Sequence, residues 1–390
     1  MQTEQNYFLS QPHQPFFALG IFNALSVMLL FFMAYKGVVS LTIDTTLFHI
    51  YSLAFLVFHN LFTGFLFTTF PRFNQSAIIE KNYYVRLFYL NVFASLLFMA
   101  GVFIHLYLTL FAMFLLFLSE IFNLIKLQSI YKNGAAPDKN DSFWILVANY
   151  FGLVGHLVLL CVVAFKLDFA ALFGIYITFY LYLIFLAFSV GQRMIPFFSH
   201  SWAEKNPNFV KIVLVLFVFK VLFATFGIAS AEIVTDILLA IYMLREFLRW
   251  ELHPLQSPSI LWVLHLALFW LPTAFGLSAI SLLAEIFFET SLYFFNIHLL
   301  ALGFLTTVLV GFGTRVILGH AGVPPQADAF TTKIFLFVQA VVLLRSLLSL
   351  NVAFGWDMAY LFDISVFAWI MLFGIWGGKY ARLLIFGKQV

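Results

Sequence analysis

The chain has 390 residues, of which 63% are hydrophobic, 20% aromatic and 9% charged, and its mean hydropathy is +1.02. So few charges cannot cover that much apolar surface in water, which excludes a soluble domain and makes the bilayer the solvent of an all-α polytopic membrane protein. The net charge of +3 comes from scattered basic residues, which excludes a nucleic-acid partner, and a single cysteine, Cys161, excludes disulfide frameworks, zinc ribbons, iron–sulfur clusters and covalent c-type haem.

The N-terminal stretch MQTEQNYFLSQPHQPFF has neither a basic n-region nor a small-residue cleavage site, so the first apolar run reads as a retained helix. Spans of about 20 apolar residues are then expected. They fall at 16–35, 45–69, 84–101, 103–128, 143–165, 168–190, 209–229, 231–250, 259–280, 290–317, 331–350 and 358–378. These twelve make one transmembrane domain over residues 1–390. Between the third and fourth spans LLFMAGVFIHLYL has no polar loop, and Gly101 is the expected turn. All of the 20 basic residues except Lys36, Lys166, Lys220 and Arg345 fall on the side shared by the two termini. That bias predicts an even number of spans with both termini in the cytoplasm. The connectors YKNGAAPDKND, SHSWAEKNPN and GHAGVPPQAD lie on the same side.

Ionisable groups inside a bundle are costly and mark function. At roughly 1.5 Å per residue, His49, His156 and His298 fall in the periplasmic half of the second, fifth and tenth spans. Three imidazoles at one depth suit ligation of haem iron or copper, and the competing reading is that each bonds a neighbouring helix. His59 and His265 form a second, inner pair of candidates, and His105 is expected to snorkel to the surface. Aromatics such as those of FHIYSLAFLVFHNLF suit either a macrocycle lining or plain packing. Glu120, Glu232, Glu285 and Glu289 are read as lying at helix ends or in loops, which leaves no acidic proton wire.

Two cytoplasmic helix ends carry basic motifs, SVGQRMIPFFSHSW with Arg193 and His200, and TRVILGHAG with Arg315 and His320. Cations there anchor the helix and cap its carbonyls, or clamp an anion such as a haem propionate or a lipid phosphate. Arg315 and His320, five residues apart, point about 140° away from each other on a helix.

Together, PHQPFFALG, FHIYSLAFLVFHNLFTGFLFTTFPRF, ANYFGLVGH, GQRMIPFFS and HLLALGFLTTVLVGFGTRVILGHAG resemble, in order, the signature segments of the NnrS family. The resemblance implies a bacterial inner-membrane protein containing haem and copper and associated with the response to nitric oxide. His13, His49, His156, Arg193, His298, Arg315 and His320 match family positions. The second-span motif, usually a tryptophan followed by His-Ala-His, here reads FHIY, so Phe48 and Tyr51 replace the tryptophan and the second histidine. Gln14 replaces an arginine.

The expected function is therefore non-covalent binding of b-type haem, with copper as a further metal, by some of His49, His156 and His298, in nitric oxide tolerance. Arg193, Arg315 and His320 are expected at the cofactor's anionic groups or as anchors. Enzyme, sensor and electron carrier remain open. The rival readings are a permease for a small solute or metal, and a membrane partner of a respiratory complex. The expected contacts are the lipid bilayer, nitric oxide and such a complex.

Overall fold

A computed structural model of the chain describes residues 7–254, 257–292 and 294–387. Lys388, counted above on the side of the termini, and residues 1–6 of the N-terminal stretch lie outside the described residues. Hydrocarbon offers backbone N–H and C=O groups no partner, so each segment must satisfy its own. Accordingly, the described residues form twelve continuous helical rods and no strand. They are α1 (His13–Tyr35), α2 (Thr45–Phe73), α3 (Lys81–Ile104), α4 (Leu106–Asn133), α5 (Asn140–Phe165), α6 (Asp168–Phe198), α7 (Phe209–Thr225), α8 (Ala229–Arg249), α9 (Ser259–Phe288), α10 (Phe295–His320), α11 (Ala329–Phe354) and α12 (Tyr360–Phe386). Each expected span coincides with one rod.

Ten of the rods are long and apolar enough to cross a bilayer. The other two are α7, which has only 17 residues, and α8, which carries Glu232, Asp236, Arg245, Glu246 and Arg249. α8 is nevertheless turned inside out relative to a helix in water. Val234, Ile237, Leu238 and Ile241 form an exposed apolar stripe, while Glu232, Asp236 and Glu246 are buried. Phe93, Leu96, Phe111 and Phe114 likewise face outward on α3 and α4.

Local chemistry sets the rod ends. The Asp44 carboxylate accepts from the Leu47 N–H at 2.8 Å to start α2, and Asp328 does the same for Thr331 at 2.7 Å to start α11. Between α3 and α4 the expected turn at Gly101 is displaced. Gly101 remains helical, and the break is His105, which is extended (φ −165°, ψ 138°) and caps α4 by accepting from the Tyr107 N–H through Nδ1. Gly101 has a different task. A Cβ there would lie 2.8 Å from Thr109 N and 3.0 Å from the Leu108 carbonyl carbon, so only glycine allows the α4 backbone this close.

Three rods contain wide π-helical stretches: Ser52–Phe58 in α2, Ile177–Ile184 in α6 and Leu299–Thr306 in α10. Such winding re-aims the side chains on either side of it and is frequent at functional sites.

The chain divides into two compact units. The first comprises Met1–Tyr182, Val316–Pro324 and Phe373–Val390, and the second Leu183–Arg315 and Pro325–Leu372. In the first, α1 packs along α2, α4 lies between α3 and α5, and α5 packs on the start of α6. In the second, α8 packs on both α7 and α9, and the π stretch of α10 packs on α9 and α11.

A Gly101→Val substitution is expected to destabilise the protein by about 1–3 kcal/mol through this clash, seen as a lower unfolding midpoint in detergent. Gly276→Ala serves as the comparison. Its Cβ would meet only the Ala240 Cβ at 3.9 Å, and the midpoint should not fall.

Candidate functional site

Four rods of the first unit bring a set of polar side chains to one buried place. α2 supplies Tyr51, His59 and Thr63, α4 supplies Glu120 and Asn123, α5 supplies His156, and α6 supplies Tyr182. Tyr51 and Tyr182 are wholly enclosed, and Glu120, His59 and His156 are buried with them. Tyr51 and His59 flank the π stretch of α2, and Tyr182 lies inside that of α6.

The His156 ring uses both of its nitrogens. Nδ1 is 2.8 Å from Glu120 Oε2, and Nε2 is 2.7 Å from the Tyr51 hydroxyl. With Glu120 ionised, Nδ1–H donates to the carboxylate, and the lone pair on Nε2 accepts the Tyr51 O–H. Phe55 stacks on the ring with centroids 3.9 Å apart, and Phe117 meets it edge-on at 5.4 Å.

A second pair joins α2 to α6. His59 Nδ1 is 2.8 Å from the Tyr182 hydroxyl. On the other side of that ring, Asn123 donates to Thr63 Oγ1 at 2.8 Å, and Thr63 approaches His59 Nε2 at 3.4 Å. Gly152 joins the two pairs, because a Cβ there would lie 2.8 Å from both Glu120 Oε1 and Tyr182 Cδ2. A side chain at 152 would push the carboxylate and the phenol apart. Glu120 Oε1 has no hydrogen-bond partner. Two Tyr–His pairs beside one buried carboxylate can hold and pass a proton, since each contact links a donor to an acceptor.

Glu120 thereby corrects the expectation that it lies at a helix end or in a loop. It is in the middle of α4, a 28-residue helix, and fully enclosed. An isolated acid within LLFLSEIFNL was the signal for it, because a carboxylate flanked by whole turns of apolar residues has no route to water. Lys220 is likewise enclosed, inside α7 with no exposed surface.

The remaining expected residues are dispersed. His49, half-buried on α2, lies against Phe31 with ring centroids 4.1 Å apart. His298 opens α10 just before its π stretch, half-buried, with Nδ1 2.8 Å from the Phe294 carbonyl oxygen. His265 is held between two serines, Ser199 at 2.6 Å from Nε2 and Ser257 at 3.5 Å from Nδ1. The Arg315 guanidinium lies 3.9 Å over the Phe198 ring, whereas His320 faces His13 with centroids 4.8 Å apart, so the two do have separate neighbours. Arg193 is half-buried on α6. His49 and His156 belong to the first unit and His298 to the second. Among the described residues, no three His, Cys, Asp or Glu side chains are grouped to hold a metal ion.

The profile of the family described as NnrS protein matches residues 7–386, nearly the whole chain. The chain belongs to the NnrS family. No curated protein matches it in a sequence search. Membership supports a membrane protein of the nitric oxide response. Within this NnrS-family chain, Tyr51, which stands where the family resemblance calls for a histidine, is the residue bonded to His156.

Removing one partner of a buried pair leaves the other unsatisfied, at a cost of about 1–3 kcal/mol. Tyr51→Phe and Glu120→Gln should each lower stability by that much. The double variant should lose less than the sum, because both act through His156. Unfolding in detergent, analysed as a double-mutant cycle, measures the coupling.

Proposed function

We propose that this NnrS-family protein is a haem-binding protein of nitric oxide tolerance. In this reading it lies in the bacterial inner membrane with all twelve rods spanning and both termini cytoplasmic. The family match supports the nitric oxide role. The outward apolar stripe of α8 supports counting that rod as a span, and the one-sided distribution of basic residues supports the orientation.

The bond that orients His298 carries the cofactor assignment. His59, His156 and His265 each have both ring nitrogens in contact with hydroxyl or carboxylate side chains. Iron or copper could bind there only by displacing one of those partners, so these three do not fit the ligand role. At His298 the Nδ1–H donates to the Phe294 carbonyl, the kind of bond that orients a ligating imidazole and fixes its tautomer. His298 is therefore the first ligand assigned to the haem, or to copper, and His49 the second candidate. α10, an even-numbered rod, begins on the periplasmic side in this orientation. Attachment is non-covalent, since Cys161 is the sole cysteine. Bound haem would supply a one-electron centre with affinity for nitric oxide. The chain's own contribution is the fixed imidazole at His298. Arg193, Arg315 and His320 anchor helix ends or contact anionic groups.

A carrier is the second reading. A coupled carrier needs carboxylates at depth, and the buried Glu120 and Asp236 favour that reading.

Absorption spectra of the purified protein, oxidised and reduced, with metal analysis, separate the two. The haem reading expects a Soret band that is lost in His298→Ala and retained in Tyr51→Phe. Absence of both haem and copper favours the carrier. Orientation is tested separately: a fluorescent protein fused at the C-terminus should fluoresce, and alkaline phosphatase inserted at Lys166–Asp168 should be active.

A further inference from the structure

The second unit holds a charged cluster that takes no part in the histidine network. Lys220 of α7 donates from Nζ to Glu232 Oε1 at 2.7 Å and to Asp236 Oδ2 at 2.6 Å, both on α8, and to Ser278 Oγ of α9 at 3.3 Å. Asn296, at the start of α10, donates to the same Ser278 oxygen at 3.0 Å. Lys220 and Asp236 are 0% exposed, and Asp236 Oδ1 has no hydrogen-bond partner. Glu232 is one turn nearer the start of α8, and its side chain is 11% exposed.

The charges do not balance. One ammonium offsets one carboxylate, so a purely structural lock would need only Lys220 and Asp236. Glu232 adds a second negative charge inside an apolar bundle, where an uncompensated ion is strongly disfavoured. The charged groups acting on Asp236 are Lys220 and Glu232, with Ser278 also within reach. The ammonium nitrogen already occupies the point between the carboxylates where a metal cation would sit. The remaining charge is therefore balanced by a proton.

We propose that Lys220, Glu232 and Asp236 form a proton-exchange site that loads one proton from the aqueous boundary beside the first turn of α8. In loading, hydronium gives its proton to Glu232, forming the carboxyl O–H bond and leaving water. Lys220 then passes an Nζ proton to Asp236 and takes the Glu232 proton in its place. The ammonium is restored, Glu232 is again ionised, and one proton has moved a turn deeper. Discharge reverses these steps. Ser278 and Asn296 tie the triad to the start of α10, so that rod senses whether the proton is present. None of this depends on haem.

The test is infrared difference spectroscopy of the full-length protein in detergent or nanodiscs, titrated with pH. The expected result is a deuterium-sensitive C=O band of a protonated carboxyl group that disappears as pH rises. It should be absent in Asp236→Asn, restored in Asp236→Glu, and present in Glu120→Gln, which separates this site from the buried carboxylate of the first unit. Carboxyl-13C aspartate and glutamate assign the band in the unsubstituted protein, so a variant that fails to fold does not remove the test. No pH-dependent carboxyl band, a band lost only in Glu120→Gln, or unfolding midpoints that rise with sodium at fixed pH and ionic strength would overturn the proposal.

Discussion

Hydrocarbon gives a buried donor or acceptor no water to fall back on. For the backbone the answer is twelve rods that satisfy their own N–H and C=O groups. For side chains it is a set of ties between rods. Asn23 donates to the Leu56 carbonyl at 2.8 Å and to Ser95 at 3.1 Å, joining α1 to α2 and α3. Asn91 reaches Ser119 across α3 and α4 at 2.6 Å. In the second unit Trp270 donates to Gln339 at 2.8 Å, and Gln339 donates on to Thr307 at 3.2 Å, so α9, α11 and α10 share one chain. Most polar residues in the bundle act as glue of this kind.

Two clusters exceed what glue requires. In the first unit a carboxylate is placed beside two Tyr–His pairs, with Gly152 keeping the space open. In the second a lysine is held by two acids where one would serve. Each places more carboxylates than fixed cations in a buried setting, where an ion without a counter-charge is strongly disfavoured. The π stretches of α2 and α6 lie at the first cluster, and that of α10 begins three residues after Asn296. Their wider turns aim side chains where regular α-winding would not.

The rods were legible because their signal is redundant. A run of about 20 apolar residues can do little else than span a bilayer, and charges and turn formers punctuate the runs. Even the unmarked junction of α3 and α4 was anticipated, although the break falls at His105 and not at Gly101. The site was legible only as a collection of residue types. His156 reads in the sequence as a ligand like any other, because nothing in ANYFGLVGH reveals that Tyr51 and Glu120 will take both its nitrogens. Tyr51 was conspicuous as a departure from a family motif, but its partner sits 105 positions away. Glu120 differs from an acid at a helix end only in its distance from both ends of α4.

By itself, the sequence determined the solvent, the class of fold, the number of rods and the family, since composition, hydropathy and ordered motifs are properties of the chain read along its length. Only the tertiary structure decided which histidines are committed to hydrogen bonds, that Glu120 and Lys220 are enclosed, and that Glu232, Asp236 and Ser278 meet the same ammonium. Those facts depend on which faces of separate rods meet, and that is set by glycine clearances, π-winding and side-chain packing between residues distant in sequence.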